Sequence, residues 1–147
     1  PDAKSEIEIA RGKSSLANMV ELQPVIGAQE LDELCRMVEE VYMSESIYTY
    51  IVALVGKTRD NSYIELGVSP RGTIACVRMA KAWAFLQWRN YVTPEDVVDI
   101  FPDIAKHRIV LNTKARVTHM TEEAVLSEIV SMTKQPASYM EKSEYRG

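Results

Sequence analysis

Between Ser69 and Gln87 the chain reads SPRGTIACVRMAKAWAFLQ, and no other stretch limits the possible folds as strongly. Ser69 can cap a helix, and Pro70 suits a first turn, where a missing N–H leaves no bond unmade. After Arg71, only Arg78, Lys81 and Gln87 strongly interrupt a run built from Ile74, Ala75, Cys76, Val77, Met79, Ala80, Ala82, Trp83, Ala84, Phe85 and Leu86. A helix apolar on most sides is expected at the centre of a bundle. One residue is out of place. Arg71 puts a cation in the first turn, where the helix dipole disfavours it by a few tenths to about 1 kcal/mol. Local conflicts of this kind tend to mark function.

The surrounding sequence supplies partners for such a helix. Leu31, Leu34, Cys35, Val38, Val41 and Tyr42 recur at helical spacing, which predicts a buried stripe starting at Ala28. Ile47, Tyr50, Ile51, Leu54 and Val55 predict a second helix, capped by Ser44 or Ser46. Thr93, Pro94, Glu95 and Asp96 form a strong start signal, and Pro102 is expected to end that helix. DIAKHRIVL reads as a short helix followed by an extended piece. MTEEAVLSEIVSMT reads as a last helix, capped by Thr121, with Ala124, Val125, Ile129 and Met132 inward. AKSEIEIAR suits a short helix, and Val25-Ile26 a short strand or extended lead-in. GKSSLANM and GKTRDNSYIELG read as loops, and the polar end KQPASYMEKSEYRG is expected to fray. The fold class is therefore all-α: a small bundle of four or five helices, with room for a short strand pair.

Composition removes several functions. Of 147 residues 46% are apolar, enough for a real core, and net charge is −4 with the basic residues spread along the chain. That argues against broad binding to nucleic acid or anionic membrane. No apolar run is long enough to span a bilayer, and the polar first twenty residues contain no signal peptide. Cys35 and Cys76 both lie in apolar helical patterns and read as reduced core residues, which suits the cytoplasm. No histidine–cysteine cluster has zinc spacing, so no metal site is expected. Arg11-Gly12-Lys13-Ser14 imitates the end of a phosphate-binding loop, but Ile7 stands where its first glycine is required and no strand precedes it. Glu39-Glu40 and Glu122-Glu123 are sequence neighbours that cannot share a helix face. His107 and His119 lack catalytic partners and read as surface or helix-end residues. Trp83, Phe85 and Trp88 read as core rather than as a stacking surface for bases. Arg71, Arg78 and Lys81 form one basic stripe, with Lys81 at the solvent edge.

LGVSPRGTIACVRMAKAWAFLQWRNYVTPEDVVDIFPDIAKHRI resembles the C-terminal lid of MoxR-type AAA+ ATPases. The resemblance rests on Gly67, Ser69, Pro70, Arg71, Tyr91, Val92, Thr93, Pro94, Asp96, Val97, His107 and Arg108. YIVALVGKTRD also matches the family stretch that ends in Thr-Arg, and the similarity runs from about Pro1 to Met132. Gly72 departs from the family's usual alanine, which reads as a small loosening of the helix. The chain opens without methionine, as if cut from something longer, and the nucleotide-binding core is not in it.

The resemblance implies a division into 1–24 as the connection from the ATPase core, 25–110 as the helical lid, and 111–147 as a C-terminal helix and polar tail. It implies that Arg71 is the sensor-2 residue reaching the γ-phosphate, positioned by Ser69 and Pro70. It further implies ATP and Mg in the full-length ATPase, none bound to this part alone, and no catalytic residue within it. The expected partners are the chain's own core, neighbouring subunits in a hexameric ring, and von Willebrand factor A domain proteins. The implied role is chaperone-like remodelling or maturation of protein complexes. The alternative is a non-enzymatic helical binding module, with nucleic acid as its target, which the dispersed positive charge disfavours.

Overall fold

The structure is a computed structural model that describes residues 2–10 and 23–137. In chain order it contains α1 (Ala3–Ala10), α2 (Ala28–Glu40), α3 (Glu45–Arg59), β1 (Ile64–Leu66), α4 (Pro70–Leu86), α5 (Pro94–Lys106), β2 (Val110–Leu111), α6 (Thr113–Val117) and α7 (Glu122–Ser131). Two units are distinguished, Pro1–Cys35 and Arg36–Gly147. The all-α expectation holds, with one two-stranded antiparallel sheet in which Ile64 faces Leu111 and Leu66 faces Val110. The RGKS stretch lies outside the described residues, as does the whole of the expected loop GKSSLANM.

The first unit carries α1 and most of α2. None of the α2 side chains is buried. Of the expected stripe, Leu31, Leu34, Cys35 and Tyr42 are exposed and Val38 is half-buried, while Val41, just past the helix, is buried in the core; Cys35 is thus not a core residue. Val25-Ile26 is exposed and forms no strand.

The core lies in the second unit and is built on α3, α5 and α7. On α3, Ile47, Tyr50, Ile51, Leu54 and Val55 are buried, as their spacing predicts. Ser44 is the backbone N-cap, but its hydroxyl bonds Ser46 rather than the helix. The helix also runs through Gly56-Lys57-Thr58-Arg59, and β1 occupies Ile64–Leu66, so GKTRDNSYIELG is only partly loop.

Helix α5 opens with a reciprocal capping box. The Thr93 hydroxyl accepts from the Asp96 backbone N–H at 3.4 Å, and the Asp96 carboxylate accepts from the Thr93 N–H at 2.7 Å. Both oxygens of buried Asp96 also take the Arg89 guanidinium, which holds that arginine's pKa above its ordinary value. The helix then continues through Pro102 to Lys106, against expectation. An interior proline costs about 3 kcal/mol. Buried Val97, Ile100, Phe101 and Ile104 outweigh it, since each such side chain contributes about 1.5–3 kcal/mol.

Helix α7 is capped by Thr121, whose hydroxyl accepts from the Ala124 N–H at 3.2 Å. Val125, Leu126 and Ile129 enter the core, whereas Ala124 and Met132 face out.

Helix α4 is not the greasy centre that its composition suggests. It packs on α5 and α3 along Gly72, Cys76, Ala80 and Ala84, the only buried positions on it. These repeat every four residues, one narrow line of small side chains that lets the helices approach closely. Ile74, Met79 and Leu86 are exposed. Trp83 and Phe85 are half-buried, and Trp88 is 97% exposed, so Trp88 is no core residue. Trp88 also has φ 60°, the left-handed region. Its N–H reaches the Phe85 carbonyl and the Arg89 N–H reaches the Ala84 carbonyl. That is the Schellman closure, which normally places glycine at this point.

Candidate functional site

The segment that leads into α4 is fixed from below by the end of α3. Thr58 is fully buried; its hydroxyl donates to the Val55 carbonyl at 2.7 Å and accepts from the Val68 N–H at 2.9 Å. The Arg59 Nε donates to the Val68 carbonyl at 2.8 Å. Both polar groups of the Val68 backbone are therefore held by consecutive residues of one helix. Gly67 lies so close that a Cβ there would stand 2.7 Å from the Thr58 carbonyl oxygen and 2.8 Å from the Arg59 Cα.

The Val68 side chain is fully buried and fills the space beneath Gly72. A Cβ on Gly72 would come within 2.2 Å of Val68 Cγ1. Gly72 is therefore not a loosening of the helix. It makes room for the valine that locks the helix start in place.

Ser69 follows as the N-cap, with φ −75° and ψ 166°. Its carbonyl accepts from Gly72 N–H at 2.8 Å, while its side chain makes no capping bond. Pro70 is the first helical residue. Arg71 is exposed, and no carboxylate among the described residues pairs with it. The outcome is a permanently charged, bidentate donor on a helix start whose backbone has little freedom. A planar guanidinium in that position suits an oxyanion such as phosphate.

Arg108 lies on the same side of α4, its Cδ 3.5 Å from where a Gly72 Cβ would stand. Burial pushes the Cys76 thiol up to about 11, and the positive charge of Arg108 only partly opposes this. His107 ends α5 as an exposed residue with Nδ1 3.1 Å from the Asp103 carbonyl oxygen, as its surface reading predicts. Exposed His119 closes α6 with φ 55°.

The basic stripe does not survive whole. Arg71 and Arg78 share a shallow trough of about 550 Å³ with Ile74, Ala75, Met79 and Ala82. Lys81 is turned away, and its Nζ donates to the Glu39 carbonyl at 2.7 Å. Among the described residues, no three His, Cys, Asp or Glu side chains meet to hold a metal ion. No described helix is long and apolar enough to cross a membrane.

Thr58, Val68 and Gly72 escaped the sequence reading as positioning residues. Thr58-Arg59 was visible only as a family-like dipeptide, because its partner lies ten residues away across a turn.

The fold and the site find counterparts among known proteins. Residues 56–129 match the family described as AAA lid domain. The uncharacterised YeaC protein of Bacillus subtilis is 36% identical over 92% of this chain and 42% of its own length. The chaperone MoxR1 of Mycobacterium tuberculosis is 25% identical over 76% of this chain and 32% of its own length. A crystal structure of a candidate ATPase from Cytophaga hutchinsonii superposes with a TM-score of 0.74 and 31% identity, covering 92% of this chain and 44% of that one. The chain thus spans less than half the length of each of these proteins.

Proposed function

We propose that this chain, which belongs to the AAA lid domain family and is the lid of a MoxR-type AAA+ ATPase, senses the bound nucleotide through Arg71. The observation that carries the reading is the exposed Arg71 at a helix start pinned by Thr58, Arg59 and Gly72. Ser69 and Pro70 set its backbone, and the guanidinium contacts the γ-phosphate. A charge-assisted contact of that kind contributes about 1.5–3 kcal/mol, more than the helix dipole takes away. When the γ-phosphate leaves, Arg71 loses its contact. Rigid α4 then carries that loss into movement of the lid against the core.

The exposed Arg71 guanidinium suits the phosphate end of the nucleotide, and among the described residues no three His, Cys, Asp or Glu side chains meet. We therefore place Mg and the hydrolytic chemistry on the ATPase core, and leave the lid without catalytic residues. On the same reading the whole protein is a cytoplasmic, chaperone-like ATPase. It assembles as a hexameric ring, works with von Willebrand factor A domain partners and remodels protein complexes. The name of the mycobacterial relative supports the chaperone role.

The test is steady-state ATP hydrolysis by the full-length ATPase with Arg71→Ala. A fall in turnover of tenfold or more, with an unchanged circular dichroism spectrum, is expected from losing about 1.5–3 kcal/mol. Unchanged turnover would return Arg71 to an ordinary surface residue.

A further inference from the structure

Neither packing nor backbone preference accounts for a tryptophan at position 88. Trp88 is 97% exposed, so its ring adds almost nothing to the core, and its φ of 60° suits glycine better. A large ring held on a strained backbone and given to solvent has the profile of a contact residue.

Trp88 borders a cavity of about 540 Å³ lined only by residues of the second unit, Arg36–Gly147. Exposed Met37 and Tyr42 and half-buried Phe85 line it as well. Two charged side chains complete it, Glu40 and Arg89. The charge of Arg89 is already matched. Its guanidinium holds both oxygens of Asp96, donates to the Tyr91 carbonyl and lies over the Tyr91 ring. The exposed Glu40 carboxylate has no ion pair or hydrogen bond among the described residues. Arg36, one helical turn before it, does not line the cavity.

The cavity thus offers three aromatic rings, a thioether and one uncompensated carboxylate. Ring faces and a carboxylate both attract a cation. A planar guanidinium can stack on a ring while its edge pairs with both carboxylate oxygens, which an ammonium cannot do. The exposure of Trp88 also decides the source of that cation. A small-molecule site covers most of its ligand. A ring that stands clear of its neighbours cannot do so, whereas a polypeptide brings further residues to cover it.

We propose that this cavity receives an arginine side chain of a partner polypeptide. The guanidinium lies between Trp88 and Glu40, and apolar residues beside that arginine cover Met37 and Phe85. None of these residues belongs to the α4 start, so the proposal stands or falls separately from nucleotide sensing.

The probe is a blocked Leu-Arg-Leu tripeptide, titrated into the 147-residue chain and followed by heteronuclear NMR at the indole N–H groups. The two indole signals come from Trp83 and Trp88, and Trp88→Gly assigns them. A saturable shift of the Trp88 signal is expected, with half-saturation at about 1–10 mM for so small a ligand. Glu40→Gln should raise that concentration about threefold or more, and so should citrulline in place of the arginine, which keeps the shape without the charge. Lysine in its place should also bind more weakly. Glu40 and Trp88 are exposed, so the rest of the spectrum should report an unchanged fold in both variants. No saturable shift up to about 20 mM would overturn the proposal. So would equal binding of the citrulline or lysine peptide, or binding that ignores Glu40→Gln.

Discussion

Gly72→Ala separates two accounts of the α4 start, because helix propensity and packing predict opposite signs. Replacing a helical glycine by alanine should stabilise by up to about 0.8–1 kcal/mol, the value for a helix interior, and Gly72 is the third residue of α4. The packing forbids that gain, since the new Cβ would stand 2.2 Å from Val68 Cγ1, far inside a normal carbon–carbon contact of about 3.5–4 Å. Val68 cannot easily retreat. Its side chain is fully buried, its N–H is held by Thr58 and its carbonyl by Arg59. Its β-branched side chain also has few alternative rotamers. Overpacking of this kind costs about 1–3 kcal/mol. Set against the propensity gain, the expected net effect is a destabilisation of about 1 kcal/mol, read as a lower urea midpoint at constant slope. A double-mutant cycle isolates the clash. In a Val68→Ala background the obstructing methyl is gone, and Gly72→Ala should then stabilise by up to about 0.8–1 kcal/mol. Stabilisation by Gly72→Ala in the wild-type background would refute the argument that Val68 locks this helix start.

The remaining predictions follow from single groups. Thr58→Val keeps the shape but leaves the Val68 N–H without its acceptor, and should destabilise by about 1–3 kcal/mol in urea unfolding. Trp88→Gly relieves a left-handed backbone that costs about 1–2 kcal/mol and surrenders almost no burial, so a rise in melting temperature is expected despite the added chain entropy of glycine. Cys76 has its folded pKa raised from 9.0 to about 11, so the fold favours the protonated thiol. That contribution is complete below pH 9 and is lost as pH rises through 11, and stability should fall across this window. At pH 8, Cys35 should react with a disulfide reagent at once, and Cys76 only as fast as the fold opens.

Local signals were the legible part of this chain. Thr93, Pro94 and Asp96 identify the start of α5 because a capping box is complete within four residues. The α3 stripe is legible because Ile47, Tyr50, Ile51, Leu54 and Val55 all face the same core. Composition misled where apolar residues were not buried. Helix α4 carries enough aliphatic and aromatic groups for a central helix, yet it buries its small residues and exposes its large ones. The reason is closeness of approach, which periodicity alone does not report. Pro102 misled in the other direction, because tertiary burial of its neighbours exceeds the local cost of proline. For the candidate site, Ser69-Pro70-Arg71 was readable as a helix start with a misplaced cation. Its support was not, because Thr58, Val68 and Gly72 acquire their roles only when α3 and α4 meet.

The central claim is that Arg71 distinguishes triphosphate from diphosphate. The direct measurement is the affinity of the full-length ATPase for ATP and for ADP, by calorimetry, with and without Arg71→Ala. The account predicts that ATP binding weakens by roughly tenfold or more, as loss of one charge-assisted contact requires, while ADP binding stays the same. Equal weakening of both nucleotides, or of neither, would contradict it.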